Sequence, residues 1–285
     1  MIDSAHTLRP ASGTRLRVQT ALVLGLLGLV VLFALPGWAF TLFIGLLVLA
    51  LGDEWFRLCF PRVKARVLAG LMLALLLGTV WYLPSVDLPW LLALGGVIWL
   101  GQIVDLWRHR LRASGIRSPW WRAALGLILL PIFGAAVWDI HQQPQGAWLL
   151  LFGILLVAMA DSLAYFAGRA FGRHKLAPAL SPAKTVEGLI GGLLGVAVLA
   201  AIGALLPWFA GVPSWQLAVA SMIVGLFSVA GDLEESRLKR EAGVKDSGRL
   251  LPGHGGLLDR LDGQLAAMPI WALALMSLSL WSIPG

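Results

Sequence analysis

Carboxylates, a hydroxyl and cations recur at helical spacing in one polar stretch, Gly231 to Asp262. Asp232, Ser236, Lys239 and Arg240 follow i, i+4, i+7 and i+8, so a continuous helix sets them on one face. Such a stripe suits a divalent metal held beside a polyphosphate. It also suits a solvated helix end with local ion pairs, and spacing alone does not choose. Lys245-Asp246 comes next, then the turn Pro252-Gly253-His254-Gly255-Gly256, then Asp259, Arg260 and Asp262. Glycines around a histidine let the backbone turn sharply and approach a ligand closely. Asp259 and Asp262 are i, i+3 neighbours on the next helix, and paired with Asp232 they suggest a hard-cation site. Mg²⁺ takes one or two carboxylates plus phosphate oxygens. Lysines and arginines would clamp the remaining phosphate charge.

The elements that must position these residues are membrane spans. The 285-residue chain is 59% hydrophobic and 13% charged, with a mean hydropathy of +0.83, which excludes a soluble globule. The formal charge of +7 does not signal nucleic acid binding, since no basic patch stands apart from the apolar runs. Cys59 has no partner for an internal disulfide and is read as structural. A span needs about 20 apolar residues. That rule predicts an all-α polytopic protein of about nine spans, near 18–35, 38–56, 65–83, 88–107, 120–138, 147–168, 186–206, 214–232 and 264–283. Val18 to Leu35 is too long for a cleavable signal core and reads as a retained first span. Pro36-Gly37 predicts a tight link between the first two. Trp38, Trp81, Trp90, Trp120, Trp121, Trp148, Trp208 and Trp215 fall near span ends, as an interfacial belt requires. Gly188, Gly191, Gly192 and Gly195 put small residues on one face of the seventh span, for close helix packing.

With the N-terminus cytoplasmic, all 22 lysines and arginines fall in cytoplasmic segments and none in the loops near 36–37, 84–89, 139–146 and 207–213. The positive-inside rule then gives N-in, C-out, with 231–262 on the cytoplasmic face. The chain reads as one membrane domain. Residues 1–140 are spans that scaffold or oligomerise, and 147–285 are the catalytic spans. Asp161, late in the sixth span, is an intramembrane carboxylate and functional by default, the alternative being satisfaction by a neighbouring helix. Asp53, Glu54 and Asp105 lie near cytoplasmic span ends and could line the same cavity, but pairing with Arg57 and Arg108 explains them. His6, His109 and His141 show no ligand spacing and read as surface residues.

From Ser236 through Lys239-Arg240, Lys245-Asp246, Gly248, Leu251-Pro252, His254-Gly255-Gly256-Leu257 and Asp259-Arg260-Leu261-Asp262, the chain resembles the signature of the phosphatidate cytidylyltransferases, or CDP-diglyceride synthases. No departure occurs across the 27 positions. Two upstream motifs are similar to the same family. One is Asp161-Ser162, Tyr165, Gly168-Arg169, Gly172-Arg173-His174-Lys175-Leu176; the other is Ser181-Pro182, Lys184-Thr185, Glu187-Gly188. Ala183 departs where a second lysine is expected, which leaves Lys184 to serve alone.

The resemblance implies transfer of CMP from CTP to phosphatidate, giving CDP-diacylglycerol and pyrophosphate. It implies Asp232 and Asp259 as ligands of Mg²⁺, with a second cation (K⁺ or another Mg²⁺) left open. Lys239, Arg240, Lys245, Asp246, His254 and Arg260 are the implied catalytic set. Asp161, Tyr165, Arg169, Lys184, Thr185, Glu187, Ser236, Gly255, Gly256 and Asp262 are the implied substrate contacts, and His174 is a candidate phosphate contact. The implied partners are CTP, phosphatidate and the lipid bilayer, without nucleic acid, and a homodimer stays open. The implied location is the bacterial inner membrane. A CTP-dependent lipid-alcohol kinase of the dolichol or phytol type is the nearest alternative. A transporter predicts midplane charges in broken helices and inverted repeats, and neither is evident.

Overall fold

The computed structural model of the chain describes residues 12–60, 62–82, 87–108, 117–248, 250, 255–278 and 280. A backbone in hydrocarbon must satisfy its own polar groups, so the long apolar runs close into helices. Nine α-helices form among the described residues: α1 (Ser12–Ala34), α2 (Gly37–Cys59), α3 (Val63–Tyr82), α4 (Leu88–Arg108), α5 (Pro119–Gln142), α6 (Gly146–Phe171), α7 (Val186–Gly203), α8 (Ser214–Glu241) and α9 (Leu258–Ser277). Six of them, α2 and α4 to α8, are long and apolar enough to cross a membrane. Each expected span coincides with one helix. The link between α1 and α2 is as short as Pro36-Gly37 predicts. Boundaries move by six residues or more in three helices: α1 begins at Ser12, α8 runs on to Glu241, and α9 begins at Leu258, ahead of its apolar part, and ends at Ser277.

One element departs from the all-helical expectation. Strand β1 (Lys175–Ala177) pairs antiparallel with β2 (Ser181–Thr185), Lys175 opposite Thr185. Pro178 and Pro182 deny this short connection a helical ladder. The turn closes instead through Leu180 N–H to the Ala177 carbonyl at 3.1 Å.

Small residues and tryptophans set the packing. A Cβ on Gly192 would stand 2.5 Å from the Ala160 carbonyl oxygen, and one on Gly188 2.7 Å from that of Ala164, so α7 lies backbone to backbone on α6. Trp55 fills the notch at Gly126 and donates its indole N–H to the Arg122 carbonyl at 2.9 Å. Trp271 fills the notch at Gly153 and donates to the Leu149 carbonyl at 2.9 Å. These bonds satisfy indole N–H groups that have no water to turn to. One apolar core runs from Val31 in α1 to Leu275 in α9. Trp38, Trp90, Trp120, Trp121 and Trp215 are exposed near helix ends, where interfacial anchors belong. His141 is not a surface residue: its ring stacks on Phe40 and its Nε2 lies 3.2 Å from the Leu32 carbonyl, a half-buried joint of α1, α2 and α5.

Candidate active site

Helix α8 carries the charged end of the bundle on two faces. Its first face holds Asp232, Ser236 and Lys239, as their spacing predicts; Ser236 Oγ lies 3.4 Å from Asp232 Oδ1. Its second face holds Glu234, Arg237 and Glu241, all turned into the protein. Arg237, 2% exposed, binds Asp105 of α4 at 2.5 Å and Glu241 at 3.3 Å. Arg117, just ahead of α5, binds Glu234 at 2.5 Å, Glu241 at 3.2 Å and Gln102 at 3.0 Å. Burial disfavours the Arg117 charge, yet the facing Glu234 and Glu241 carboxylates outweigh it and raise its pKa. Arg122 closes the cluster at 3.7 Å from Glu241. These pairs fix the rotation of α8 against α4 and α5, and so aim its first face.

That face meets α6, the hairpin and α9. Lys184, at the end of β2, reaches Asp232 Oδ2 at 2.5 Å. Asp161 of α6 and Asp262 of α9 lie close enough to feel the Asp232 charge, and both also feel Lys184. Lys184 and Asp232 thus form an ion pair with two further carboxylates within electrostatic reach. Among the described residues no three His, Cys, Asp or Glu side chains close tightly enough to enclose a metal by themselves. Carboxylate oxygens are the donor type that Mg²⁺ accepts, and that ion fills the rest of its shell with water and phosphate oxygens.

Asp259 is held between Lys239 and the loop backbone. Its Oδ1 takes the Lys239 ammonium at 2.7 Å, and its Oδ2 takes the N–H groups of Ser247 at 3.0 Å and Gly256 at 2.7 Å. Burial opposes its ionisation, but Lys239, the adjoining Glu235 and the Gly256 N–H pull its pKa down to about 2. Asp262, one helical turn on, is the α9 carboxylate that lies towards Asp232.

The loop between α8 and α9 is shaped by backbone rules. Gly243 (φ +71°) ends α8, with Val244 N–H on the Lys239 carbonyl at 2.9 Å and Gly243 N–H on that of Arg240 at 3.1 Å. Gly255 (φ +86°) makes the second turn, as a glycine beside a histidine suggests. Glu54 of α2 then meets the loop. Buried at 1% exposure, it accepts from Ser247 Oγ at 2.9 Å, Leu257 N–H at 3.0 Å and Leu258 N–H at 2.8 Å. It does not pair with Arg57, as the sequence suggests; Arg57 binds Asp53 at 2.5 Å, and Arg66 binds Asp53 at 3.3 Å. Asp105 likewise pairs with Arg237 rather than Arg108.

The other expected residues take these places. Arg240 reaches the hairpin, 3.4 Å from the Leu180 carbonyl. Lys245, Asp246 and Arg260 are exposed. Arg169 donates to Tyr165 Oη at 3.2 Å on the outside of α6. Thr185 caps α7 by accepting from Gly188 N–H at 3.0 Å. Glu187 ties the hairpin to α7, holding His174 Nδ1 at 2.6 Å and Arg173 N–H at 3.1 Å. Gly256 packs against Glu54 and Ser247. His254 lies outside the described residues. Sequence reasoning missed Arg117 and Arg237 as organisers of the site, and placed Glu54 at the cavity only as an alternative to its pairing with Arg57. Their position beside the polar ends of helices was the only available signal.

The fold and this end of it define an α-helical membrane protein whose carboxylates and cations converge at one polar end of the bundle. Residues 15–278 match the model of the cytidylyltransferase family. The chain belongs to that family. It is 38% identical to the phosphatidate cytidylyltransferase of Pseudomonas aeruginosa, over 94% of this chain and 98% of that one. It is 34% identical to the phosphatidate cytidylyltransferase of Haemophilus influenzae, over 90% and 96% of the two chains. Identity to that of Brucella abortus is 36%, over 90% and 91%.

Proposed function

We propose that this chain is a phosphatidate cytidylyltransferase that joins CMP from CTP to phosphatidate and releases pyrophosphate. The observation that carries the reading is the Lys184–Asp232 ion pair between β2 and α8, with Asp161 of α6 and Asp262 of α9 in electrostatic reach, in a chain similar along its length to proteins of that name. An oxygen of the lipid phosphate monoester attacks the α-phosphorus of CTP. The bond from that phosphorus to the bridging oxygen breaks, and its electron pair leaves on pyrophosphate. The attacking oxygen is already ionised at neutral pH, so little general-base help is needed. Positioning and charge neutralisation dominate.

Lys184 and Lys239, held here on Asp232 and on Glu235 and Asp259, exchange carboxylate for phosphate oxygens as substrate enters. Arg240, Lys245, Arg260 and His254 neutralise the outgoing pyrophosphate and the lipid headgroup. Asp232, with Asp161 or Asp262, would hold Mg²⁺, which supplies charge neutralisation for the triphosphate when bound. Asp259 orders the loop that carries Lys245 and Asp246. The charge distribution supports an N-in, C-out arrangement in a bacterial inner membrane, with the site at the cytoplasmic surface where soluble CTP meets a membrane-held lipid.

The test is to incubate purified protein with Mg²⁺, phosphatidate and CTP labelled separately at the α- and γ-phosphates. The α-label is expected in the lipid product, with pyrophosphate released, and Asp232→Asn is expected to abolish both. The γ-label in lipid, with CDP released, would replace this reading with a kinase. Near-normal turnover by Asp232→Asn would remove Asp232 from the metal set.

A further inference from the structure

We propose that Glu54, on α2 in the first half of the chain, is the positioning residue of the loop between α8 and α9. Its effect on turnover rests on the cytidylyl-transfer reading; its hold on the loop does not. Helix α9 has no cap of its own: Leu257 stands at its N-cap position with no side-chain hydrogen bond. The free N–H groups at a helix start need an acceptor and favour an anion. Here the acceptor is supplied from the other end of the sequence. Both Glu54 oxygens are used, one on Leu257 N–H and the other on Leu258 N–H and Ser247 Oγ.

Two glycines make room for this carboxylate. A Cβ on Gly248 would stand 2.7 Å from Glu54 Cδ, and one on Gly256 2.5 Å from Glu54 Oε2. Without side chains at 248 and 256, the backbone at both positions lies against the carboxylate. Ser247 is held from both sides, its O–H by Glu54 and its N–H by Asp259. Asp259 in turn holds Lys239. A chain of contacts thus runs from α2 through the loop to the cation on the first face of α8. Displacing Glu54 loosens Asp259 and Lys239 together.

The perturbation is Glu54→Gln, which keeps the size and turns one acceptor into a donor facing N–H or O–H groups. Amide exchange of the peptide spanning 255–262, measured on purified protein in detergent without substrate, is expected to quicken about tenfold, the loss of one charge-assisted hydrogen bond. Exchange in α6 and α7 stays as in the wild type. The KM for CTP is expected to rise about tenfold with a smaller fall in kcat, since the loop receives the triphosphate. Glu54→Asp falls between the wild type and Glu54→Gln. Ser247→Ala, which removes one donor and leaves Glu54 in place, shifts both readouts in the same direction by less. Neighbouring Asp53→Asn stays within about twofold of the wild type, because its exposed pairs contribute little.

Wild-type exchange at 255–262 in Glu54→Gln overturns the proposal. So does exchange quickened equally in every helix, which marks a general structural role. Should Glu54→Gln not fold, Glu54→Asp and Ser247→Ala decide by the same measurements. Faster exchange in Glu54→Gln, with no CMP transfer by the wild type, would refute the proposed reaction and leave the hold of Glu54 on the loop supported.

Discussion

Arg117→Met tests whether the buried charge cluster fixes α8. The arginine side chain is 11% exposed, and its partner Glu234 is 1% exposed. Removing one member of a buried ion pair typically costs about 3–5 kcal/mol, because the other charge stays buried and uncompensated. The cost here lies at the lower end, about 3 kcal/mol, since Arg237 still approaches Glu234 at 4.0 Å and both Arg122 and Arg237 still face Glu241. At roughly 2–4 °C per kcal/mol for a chain of this size, the midpoint should fall by about 6–12 °C. The assay is thermal unfolding of purified protein in detergent, read as soluble folded fraction. The companion Arg117→Met/Glu234→Leu removes the stranded anion together with its partner. It should recover more than half of the loss, because apolar replacement of a buried pair is often close to neutral. A single variant within about 2 °C of the wild type would refute the reasoning. So would a double variant whose loss equals the sum of the two singles, since that sum means the residues do not act as a pair.

Two further outcomes follow from contacts at the other elements. Gly192→Val drives a branched side chain into the Ala160 carbonyl, so α7 should separate from α6, with a stability loss of about 1–3 kcal/mol or more, seen as a lower unfolding midpoint, whereas Gly70→Val, where nothing stands nearby, should not move it. Lys239→Met strips Glu235 and Asp259 of their shared cation; CMP transfer should fall by at least about a hundredfold, with raised KM for CTP, and a rate within threefold of the wild type would take Lys239 out of the site.

The first face of α8 was legible because a helix repeats every 3.6 residues, so Asp232, Ser236 and Lys239 declare themselves by spacing alone. The spans were legible because hydrocarbon leaves a backbone few choices. Spacing could not say which α9 carboxylate lies towards Asp232: Asp259 and Asp262 are both on the right side of one helix, and only the packed loop assigns Asp259 to Lys239. The hold of Glu54 on the loop was illegible for a different reason. Its acceptors serve Leu257 and Leu258, some two hundred residues away, while Arg57 one turn along offers a plausible local partner that the structure gives to Asp53. Arg117 and Arg237 were visible as orientation charges, and their second use as buried partners depends on which helices meet. The hairpin escaped because its strands are three and five residues long and interrupted by proline, too short for a periodic signal.

The uninterrupted course of α8 has a consequence for how the chain tolerates change in length. Its 28 residues span about 42 Å, well beyond the ~30 Å of hydrocarbon, so the polar segment is a rigid continuation of the span that anchors it. Each residue advances the helix by about 100°, and the two charged faces are locked in phase with each other and with the apolar stripe below. A single residue inserted between Asp232 and Lys239 would turn everything beyond it by that angle, swinging Lys239 away from Asp259 and Arg237 away from Asp105. No local repair could restore both at once. The stretch from 232 to 241 should therefore keep a fixed count of residues in this family.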